Sequence, residues 1–455
     1  MEDTIAAIST AYGEGGIGII RISGENSLNI LNRIFKPVSK KIESRKMIYG
    51  NIVEPSSNKI IDEVLCVYMK GPKTYTAEDV VEINCHGSII SLKKTLEIVL
   101  QNGARLAEPG EFTKRAFMNG RLDLSQAEAV IDLIKAKSEK TFDVALNQLE
   151  GKFSEQIKLL RKKIVDILVN IAVNIDYPDE DIEQLTYSNL SESLKEVYLE
   201  INKMIDSAET GRMIKEGLNV AIIGKPNVGK SSLMNSLLKE NRAIVTEIPG
   251  TTRDTIEEML TIRGIPVRLT DTAGIRETED IIEKIGIEKS KESFNNADLI
   301  ILMVDCSTSL NSEDLKIIEH VDNRNVILVF NKLDLDCKIN KEEVTSLIPN
   351  ATIVEASIAT DMGIDKIENS IEELVYGGKV TQKDSLLVTN VRHKNLLVEA
   401  NRSINDALEM TKNEEALEFI EIDVNSAYEL LGEIIGETVQ EDIINEVFAR
   451  FCLGK

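Results

Sequence analysis

The sequence predicts a multidomain chain of α/β plus α class: an N-terminal α+β domain, a helical domain, and a doubly wound α/β domain inserted within the helical one. Three observations predict it. Residues 1–118 mix short apolar runs with helical stretches. Residues 125–210 carry apolar side chains at three- and four-residue steps, a pattern that returns at Leu397, Ala400, Ile404, Ala407 and Leu408. Between these, apolar runs alternate with helical patterns, as in a sheet wound on both faces.

The N-terminal part reads as strands at 4–9, 17–22, 64–69 and 80–85, with helices at 27–35 and 88–100. Its cluster Gly13-Glu-Gly-Gly-Ile-Gly18 misses the spacing of a dinucleotide fingerprint and opens no helix, so a tight, flexible turn is expected there. Ser125-Gln-Ala-Glu128 has capping-box form and is expected to start a helix. Ile157, Leu160, Ile164, Ile167, Leu168 and Ile171 give the next helix an apolar stripe, assigned to packing, and Tyr177-Pro-Asp-Glu-Asp181 stops it. Helical sequence then resumes to about Thr210. The apolar runs of the inserted domain lie at 219–223, 267–270, 299–304, 326–330 and 352–356, and Gly377-Gly378 reads as a hinge. The expected domains are 1–118, a discontinuous helical domain of 119–215 with 379–455, and 216–378 between its halves.

Composition bounds the function. Hydrophobic content of 42% and charged content of 28% are those of an ordinary globular protein. No apolar run approaches the ~18–20 residues of a membrane span, and Met1-Glu2-Asp3-Thr4 lacks the basic start of a signal peptide. Five scattered cysteines without a C-x-x-C pair argue against a zinc site or disulfide framework and fit a reducing cytoplasm. A net charge of −23 argues against a broad nucleic-acid surface, because phosphate contacts need clustered Lys and Arg. A nucleic-acid partner is therefore expected to be met by a local patch or through a more basic second protein.

The chemistry starts at Gly224-Lys-Pro-Asn-Val-Gly-Lys-Ser231, between an apolar run and a helical pattern, with the spacing of a phosphate-binding loop. Glycines let successive backbone N–H groups point at one anion, and the helix dipole adds positive potential. Lys230 is expected to reach the β- and γ-phosphates, and the Ser231 hydroxyl to hold Mg²⁺. Thr252, in Gly250-Thr-Thr-Arg-Asp254, offers a second hydroxyl to Mg²⁺. Asp271-Thr-Ala-Gly274 places a carboxylate behind the metal and the Gly274 N–H at the γ-phosphate. In Asn331-Lys-Leu-Asp334 a carboxylate can accept from the N1–H and amine of guanine; adenine has no such pair of donors, so GTP is selected. Ser357-Ile358-Ala359 takes the place of the usual Ser-Ala-Lys, leaving the base contact there to backbone N–H groups. The order of these elements at strand ends identifies a Ras-like P-loop GTPase domain. GTP contacts are expected across Asn227, Val228, Gly229, Lys230, Ser231 and Ser232; Thr246, Glu247, Ile248, Pro249, Gly250, Thr251 and Thr252; Asp271, Thr272, Ala273 and Gly274; Asn331, Lys332, Leu333 and Asp334; and Ser357, Ile358 and Ala359.

One absence shapes the mechanism. Ile275 stands where Ras-like enzymes place a water-orienting Gln, and no arginine finger is assured, although Arg253 and Arg276 lie nearby. Glu279, Asp280 and Glu283 are candidates for the water-positioning group; a solvated acidic loop is the alternative.

The whole chain resembles the MnmE (TrmE) family of tRNA-modifying GTPases. The resemblance is carried by Gly18-Ile-Ile-Arg-Ile-Ser-Gly24, Glu78-Asp-Val-Val-Glu82, Glu108-Pro-Gly-Glu-Phe-Thr113, Leu122-Asp-Leu-Ser-Gln-Ala-Glu-Ala129, the nucleotide motifs and Phe451-Cys-Leu-Gly-Lys455. It implies a cytoplasmic homodimer built through a tetrahydrofolate-binding N-terminal domain. It implies joint action with an FAD-containing partner of the MnmG kind, as a heterotetramer, to add an aminomethyl-type group at C5 of the wobble uridine of certain tRNAs. The carbon would come from a 5,10-methylene- or 5-formyl-tetrahydrofolate-like donor, and tRNA would be met mainly through the partner. By the same resemblance K⁺ is held by Asn227, Thr246, Ile248 and Thr251, Glu283 positions the water, and Arg21, Glu82, Arg121 and Lys455 contact folate. Arg121 stands where many members have Lys, which keeps the charge and changes the geometry. Cys452 matches the family's C-terminal cysteine, for which a catalytic role or a merely reduced thiol is open. The competing reading is a regulatory or ribosome-assembly GTPase switch; such proteins usually append an RNA-binding module or a basic tail, which this sequence does not show, and its net charge of −23 argues the same way.

Overall fold

The computed structural model describes residues 3–11, 13–38, 41–176, 186–241, 257–271, 295–321, 324–376, 387–451 and 454. It divides into two compact units, Met1–Ile131 with Gln148–Val169 and Val424–Lys455, and Asp132–Asn147 with Asn170–Asp423.

The first unit is built on a seven-stranded sheet: β1 (Ile5–Ile8), β2 (Gly15–Ser23), β3 (Phe35–Pro37), β4 (Met47–Val53), β5 (Ile60–Met69), β6 (Val80–Gly87) and β7 (Arg105–Leu106), in the order β3-β4-β5-β6-β2-β1-β7. All pairs are antiparallel except β1 with β7. Helices α1 (Ser27–Ile34) and α2 (Ile89–Gln101) cover one face, where Ile20, Ile22, Ile30, Leu31, Ile83 and Val99 form a buried core. Side chains alternate across a strand, so the other residues of the same strands point away from that core. Met47, Tyr49 and Leu65 are among them and are exposed.

Two expectations fail in this unit. Gly15 to Gly18 form part of β2 rather than a free turn, with a bulge between Gly15 and Ile17. The glycines serve close approach: a Cβ on Gly87 of β6 would stand 2.2 Å from the Gly15 carbonyl oxygen. The helix α4 (Leu124–Lys135) begins before Ser125. Asp123 supplies the cap, since its carboxylate accepts from the Gln126 N–H at 2.9 Å and the Gln126 side chain accepts from the Asp123 N–H at 3.0 Å. Strands β3, β4 and β7 had no forecast; Gly50-Asn51 interrupts the β4 pattern with turn-type residues, while β3 and β7 are too short to show a period.

Helices α3 (Glu111–Met118), α5 (Glu139–Leu149), α6 (Lys152–Asp176) and α7 (Tyr187–Glu216) follow. The last runs past Thr210 and ends at Gly217, which has φ +95. The sheet of the second unit contains β8 (Leu218–Ile223), β9 (Glu257–Ile262), β10 (Ile265–Asp271), β11 (Leu299–Asp305), β12 (Val326–Asn331) and β13 (Thr352–Glu355) in the order β13-β12-β11-β8-β10-β9. It is parallel except for β9. That strand also escaped the sequence reading: its acidic start hides the pattern, and the tight turn Arg263-Gly264, both at positive φ, closes the hairpin. Helices α8 (Lys230–Asn241), α9 (Ser312–His320), α10 (Lys341–Leu347) and α11 (Ile364–Tyr376) accompany the sheet. In β11, Leu299, Ile301 and Met303 join one core while Ile300, Leu302 and Val304 join another. Burial on both faces is why these strands read as continuous apolar runs.

The long helix α12 (Val391–Lys412) packs along α7, burying Leu397, Ala400, Ile404 and Ala407, with Asn401 Nδ2 donating to Asn202 Oδ1 at 2.9 Å. Helices α13 (Leu417–Ile435) and α14 (Glu441–Ala449) complete the described chain, and Phe448 and Phe451 pack with Leu124 and Phe117 in the first unit. The break at 177–181 and the glycine pair at 377–378 lie outside the described residues.

Candidate functional site

Beyond Ile223 the chain turns at Gly224, passes Asn227 at φ 64 and Gly229 at φ +105, and enters α8 at Lys230. The buried Val228 side chain anchors this loop. Gly229 is required by space as well as by angle, since a Cβ there would stand 2.5 Å from Asn331 Nδ2. The Lys230 ammonium donates to the carbonyls of Gly224 at 2.8 Å and Lys225 at 2.7 Å, which holds its charge in the concave side of the loop. Lys225 itself pairs with Asp314 in the first turn of α9. Ser231 and Ser232 are exposed in the first turn of α8.

The base-recognition motif joins this loop through Asn331, which is 3% exposed at the end of β12. Its Nδ2 donates to the Val228 carbonyl at 2.7 Å, and its Oδ1 accepts from the Ile358 N–H at 3.0 Å. Asp334 Oδ1 accepts from the Ser357 hydroxyl at 2.5 Å, and the Leu333 N–H reaches the Ala356 carbonyl at 3.3 Å. Ala359 lies in the short 3-10 turn Ile358–Thr360 that follows. Thus Val228, Gly229, Asn331, Leu333, Asp334, Ser357 and Ile358 converge although they come from three separate loops.

Asp305 belongs to the same assembly and was missed by sequence reasoning. Its Oδ2 receives the Lys332 ammonium at 2.6 Å, and its Oδ1 accepts from the Ser307 hydroxyl and N–H. Burial opposes ionisation of Asp305, but these donors outweigh it and hold its carboxyl below the usual range. A signal existed: Asp305 closes an apolar strand in register with Asn331 of the next one.

Asp271 ends β10 opposite Ile222, which sets its backbone one strand away from the loop. Thr246, Glu247, Ile248, Pro249, Gly250, Thr251, Thr252, Thr272, Ala273, Gly274, Glu283, Cys452 and Lys455 lie outside the described residues, as do Arg253, Ile275, Arg276, Glu279 and Asp280.

A second constellation occupies the first unit. Arg21 of β2 faces Glu82 of β6 in register, and the pair bonds at 2.8 and 2.9 Å. The Arg21 guanidinium stands 5.3 Å from the Tyr75 ring centre, and the Arg121 guanidinium stands 4.9 Å from the same ring. Arg121 also donates to the Tyr75 carbonyl at 2.7 Å, and the Tyr75 hydroxyl meets Thr113 Oγ1 at 2.8 Å. Arg21, Glu82 and Arg121 therefore gather around one aromatic residue that the sequence reading had not singled out. Two cations, one of them paired with a carboxylate, thus lie beside one aromatic ring and can offer donors to an anionic group.

Comparison with known proteins gives two family matches. The pattern described as the GTP-binding protein TrmE N-terminus matches residues 4–121, and that of the MnmE helical domain matches residues 124–452. Curated relatives named tRNA modification GTPase MnmE match throughout. Those of Alkaliphilus oremlandii and Clostridioides difficile are each 53% identical over 459 residues, and that of Bacillus licheniformis is 49% identical over 458, with 100% of both chains covered in each case. Among solved structures, the FeoB G-domain from Methanococcus jannaschii is 26% identical, covering 34% of this chain and 96% of its own, with a TM-score of 0.26. Aquifex aeolicus Era bound to GDP.AlF4- is 28% identical, covering 40% and 65%, with a TM-score of 0.28.

Proposed function

Because the chain belongs to the MnmE (TrmE) family of tRNA modification GTPases, we propose that the GTP it hydrolyses drives addition of an aminomethyl or carboxymethylaminomethyl group to C5 of the wobble uridine of certain tRNAs. The tRNA part of this reading rests on the family; the observation that carries its GTP-binding part is the Asn331 side chain, which ties the Val228 carbonyl to the Ile358 N–H and so joins the phosphate loop to the Asp334 motif. Asp334, steadied by Ser357, accepts from the guanine edge. Lys230 gives up its backbone carbonyl contacts to meet the β- and γ-phosphates, and the loop N–H groups hold their oxygens. Ser231 and Thr252 would hold Mg²⁺, which neutralises phosphate charge when bound.

Ile275 offers no group to orient water, and by the resemblance to the family Glu283 would take that part. Asn227 supports the assignment of K⁺: its side chain is exposed and makes no hydrogen bond among the described residues, which leaves its amide oxygen available. Thr246, Ile248 and Thr251 would complete the set, and the ion would supply the positive charge that other GTPases take from an arginine.

In the N-terminal domain, Arg21 and Arg121 would receive the carboxylates of a reduced folate, Glu82 its pterin N–H edge, and Lys455 a further carboxylate. Cys452 is the candidate nucleophile for the one-carbon chemistry. The exposed Met47, Tyr49 and Leu65 support a homodimer through this sheet, because a monomer leaves such apolar area in water. The MnmG-like FAD protein completes a heterotetramer and brings most of the tRNA contact. The domains are 1–118, 119–215 with 379–455, and 216–378. No helix among the described residues is long and apolar enough to cross a membrane, and a cytoplasmic site of action is proposed.

Nucleoside mass spectrometry of tRNA from a deletion strain tests the reading, with unmodified wobble uridines expected. Fully modified tRNA together with a ribosome-assembly defect would assign the chain to a regulatory GTPase switch instead. Two further measurements address the cofactors. Faster GTP turnover in K⁺ than in Na⁺ is expected, and equal rates would remove the potassium assignment. Binding of 5-formyltetrahydrofolate to the full chain is expected, and its absence would remove the folate one.

A further inference from the structure

The strand β8 ends at the phosphate loop and begins, about 20 Å away by strand rise, at a different concavity. A cavity of about 490 Å³ opens there between the end of α4, the start of α5, the last turn of α7 and the first residues of β8 and β10. Its size is that of a small-molecule site.

The charges of its walls are unbalanced. Lys135, Lys137, Lys215 and Arg268 line it against two carboxylates, Asp132 and Glu216. Asp132 is already committed to Lys215, at 2.7 Å, and Glu216 lies 3.8 Å from Arg212, which is not part of the wall. Lys135, Lys137 and Arg268 make no ion pair or hydrogen bond among the described residues. Three unpaired cations around one concavity are unexpected in a chain with a net charge of −23, where carboxylates outnumber bases.

Helix ends explain part of this arrangement. Lys135 and Lys215 stand in the last turns of α4 and α7, where the dipole favours cations. Lys137 follows its helix in a loop, and Arg268 projects from a strand, so neither has that reason. Arg268 is also in a fixed setting. It lies in register with Asn219 on the neighbouring parallel strand. The Asn219 N–H and Nδ2 both donate to Asp298, which Arg212 pairs at 2.7 Å. The floor of the cavity is thus held rigid, while its cations stay free to take an anion.

We propose that this cavity is a second anion site, separate from the GTP site, which binds a small ligand bearing two or more phosphate charges. The concave form favours a compact phosphate compound over an extended RNA backbone, which would call for a stripe of cations along an open surface.

The test uses the full chain loaded with one equivalent of GDP and Mg²⁺, so that the phosphate loop is filled, and inorganic pyrophosphate as the probe in calorimetry. One site per chain is expected. The triple variant Lys135→Ala/Lys137→Ala/Arg268→Ala should weaken pyrophosphate at least tenfold while GDP affinity stays the same, which reports that the second unit is still folded. The single charge reversal Arg268→Glu should abolish pyrophosphate binding. Absence of pyrophosphate binding at low millimolar concentration, or equal binding by the triple variant, overturns the proposal. Loss of tRNA affinity in the triple variant without any pyrophosphate binding by the parent chain also overturns it, and assigns the cations to RNA.

Discussion

The side-chain amide of Asn331 donates to the Val228 carbonyl at 2.7 Å across 103 residues of chain, and the same side chain accepts from the Ile358 N–H. Both partners are backbone groups, and both bonds are buried. Asn331→Ala would leave two buried polar groups unpaired, at a cost of about 2–4 kcal/mol. Denaturant unfolding should show that loss, and nucleotide affinity should fall with it because two loops lose their common tie. Unchanged stability would mean that the tie is absent in solution.

Asp334, the proposed acceptor for the guanine edge, is held by the Ser357 hydroxyl at 2.5 Å. Asp334→Asn replaces an acceptor with a mixed donor and acceptor, so GTP affinity should fall by about 10²-fold or more. Xanthosine triphosphate, which presents an acceptor where guanine has its amine, should fall less or gain. Ser357→Ala acts only through Asp334 and should weaken GTP about tenfold while leaving the preference for GTP over ATP in place. Competition binding with the three nucleotides separates these outcomes.

Gly229→Ala would drive a Cβ to 2.5 Å from Asn331 Nδ2 at φ +105. The strain is of order 1–3 kcal/mol and falls on the loop that carries the phosphates. Loss of GTP binding with the second unit still folded by circular dichroism is expected.

Arg115 is 1% exposed and reaches Asp3 at 2.7 Å, Glu111 at 3.0 Å and Glu78 at 3.2 Å. Arg115→Met should destabilise the first unit by about 3–5 kcal/mol, because Glu111 and Glu78 stay largely buried without their cation, while Asp3 is half exposed. The same network sets a pH dependence. Burial opposes ionisation of Glu111, but Arg105, the Glu108 N–H and Arg115 outweigh it and hold the carboxyl below its ordinary value of 4.5. Burial likewise opposes ionisation of Asp3, and Arg105 and Arg115 hold it below 3.8. A depressed folded-state pKa gives stability that is complete above the unfolded value and is lost as pH falls through the folded one. Acid unfolding of the first unit should therefore set in below about pH 4.5, and in Arg115→Met the acid-dependent part should shrink.

The Tyr75 ring has two guanidiniums near it, at 5.3 and 4.9 Å from its centre. Tyr75→Ala should weaken reduced folate about tenfold, since both cations lose the ring that positions them. Tyr75→Phe keeps the ring and loses only the bond to Thr113, so it should stay within about threefold of the parent. Equal loss in both variants would show that the hydroxyl, not the ring, matters. Fluorescence titration with 5-formyltetrahydrofolate reads the difference.

Much of the second unit was legible because its central strands β8, β11 and β12 are buried on both faces and read as apolar runs. Strand β9 was not, since its first residues are acidic and its place depends on pairing with β10. The glycine cluster at 13–18 was misread for a related reason. Glycine permits a turn, but it equally permits two backbones to approach, and only β6 beside it decides which. At the candidate site, Lys230, Asn331 and Asp334 stood out by motif spacing. Asp305 and Tyr75 did not, because their parts come from Lys332 and from Arg21 and Arg121, far away in sequence.

The sequence by itself determined the chemistry that is local: a phosphate loop whose glycines allow positive φ, a carboxylate suited to guanine, and the periodicities of helix and strand. These follow from sterics and hydrogen bonding within a few residues. Tertiary structure alone decided what converges. It brought Asn331 to Val228, set Arg21 and Arg121 beside Tyr75, and placed around one cavity three cations that make no ion pair among the described residues. Such contacts depend on which buried faces pack together, and no short stretch of chain contains that information.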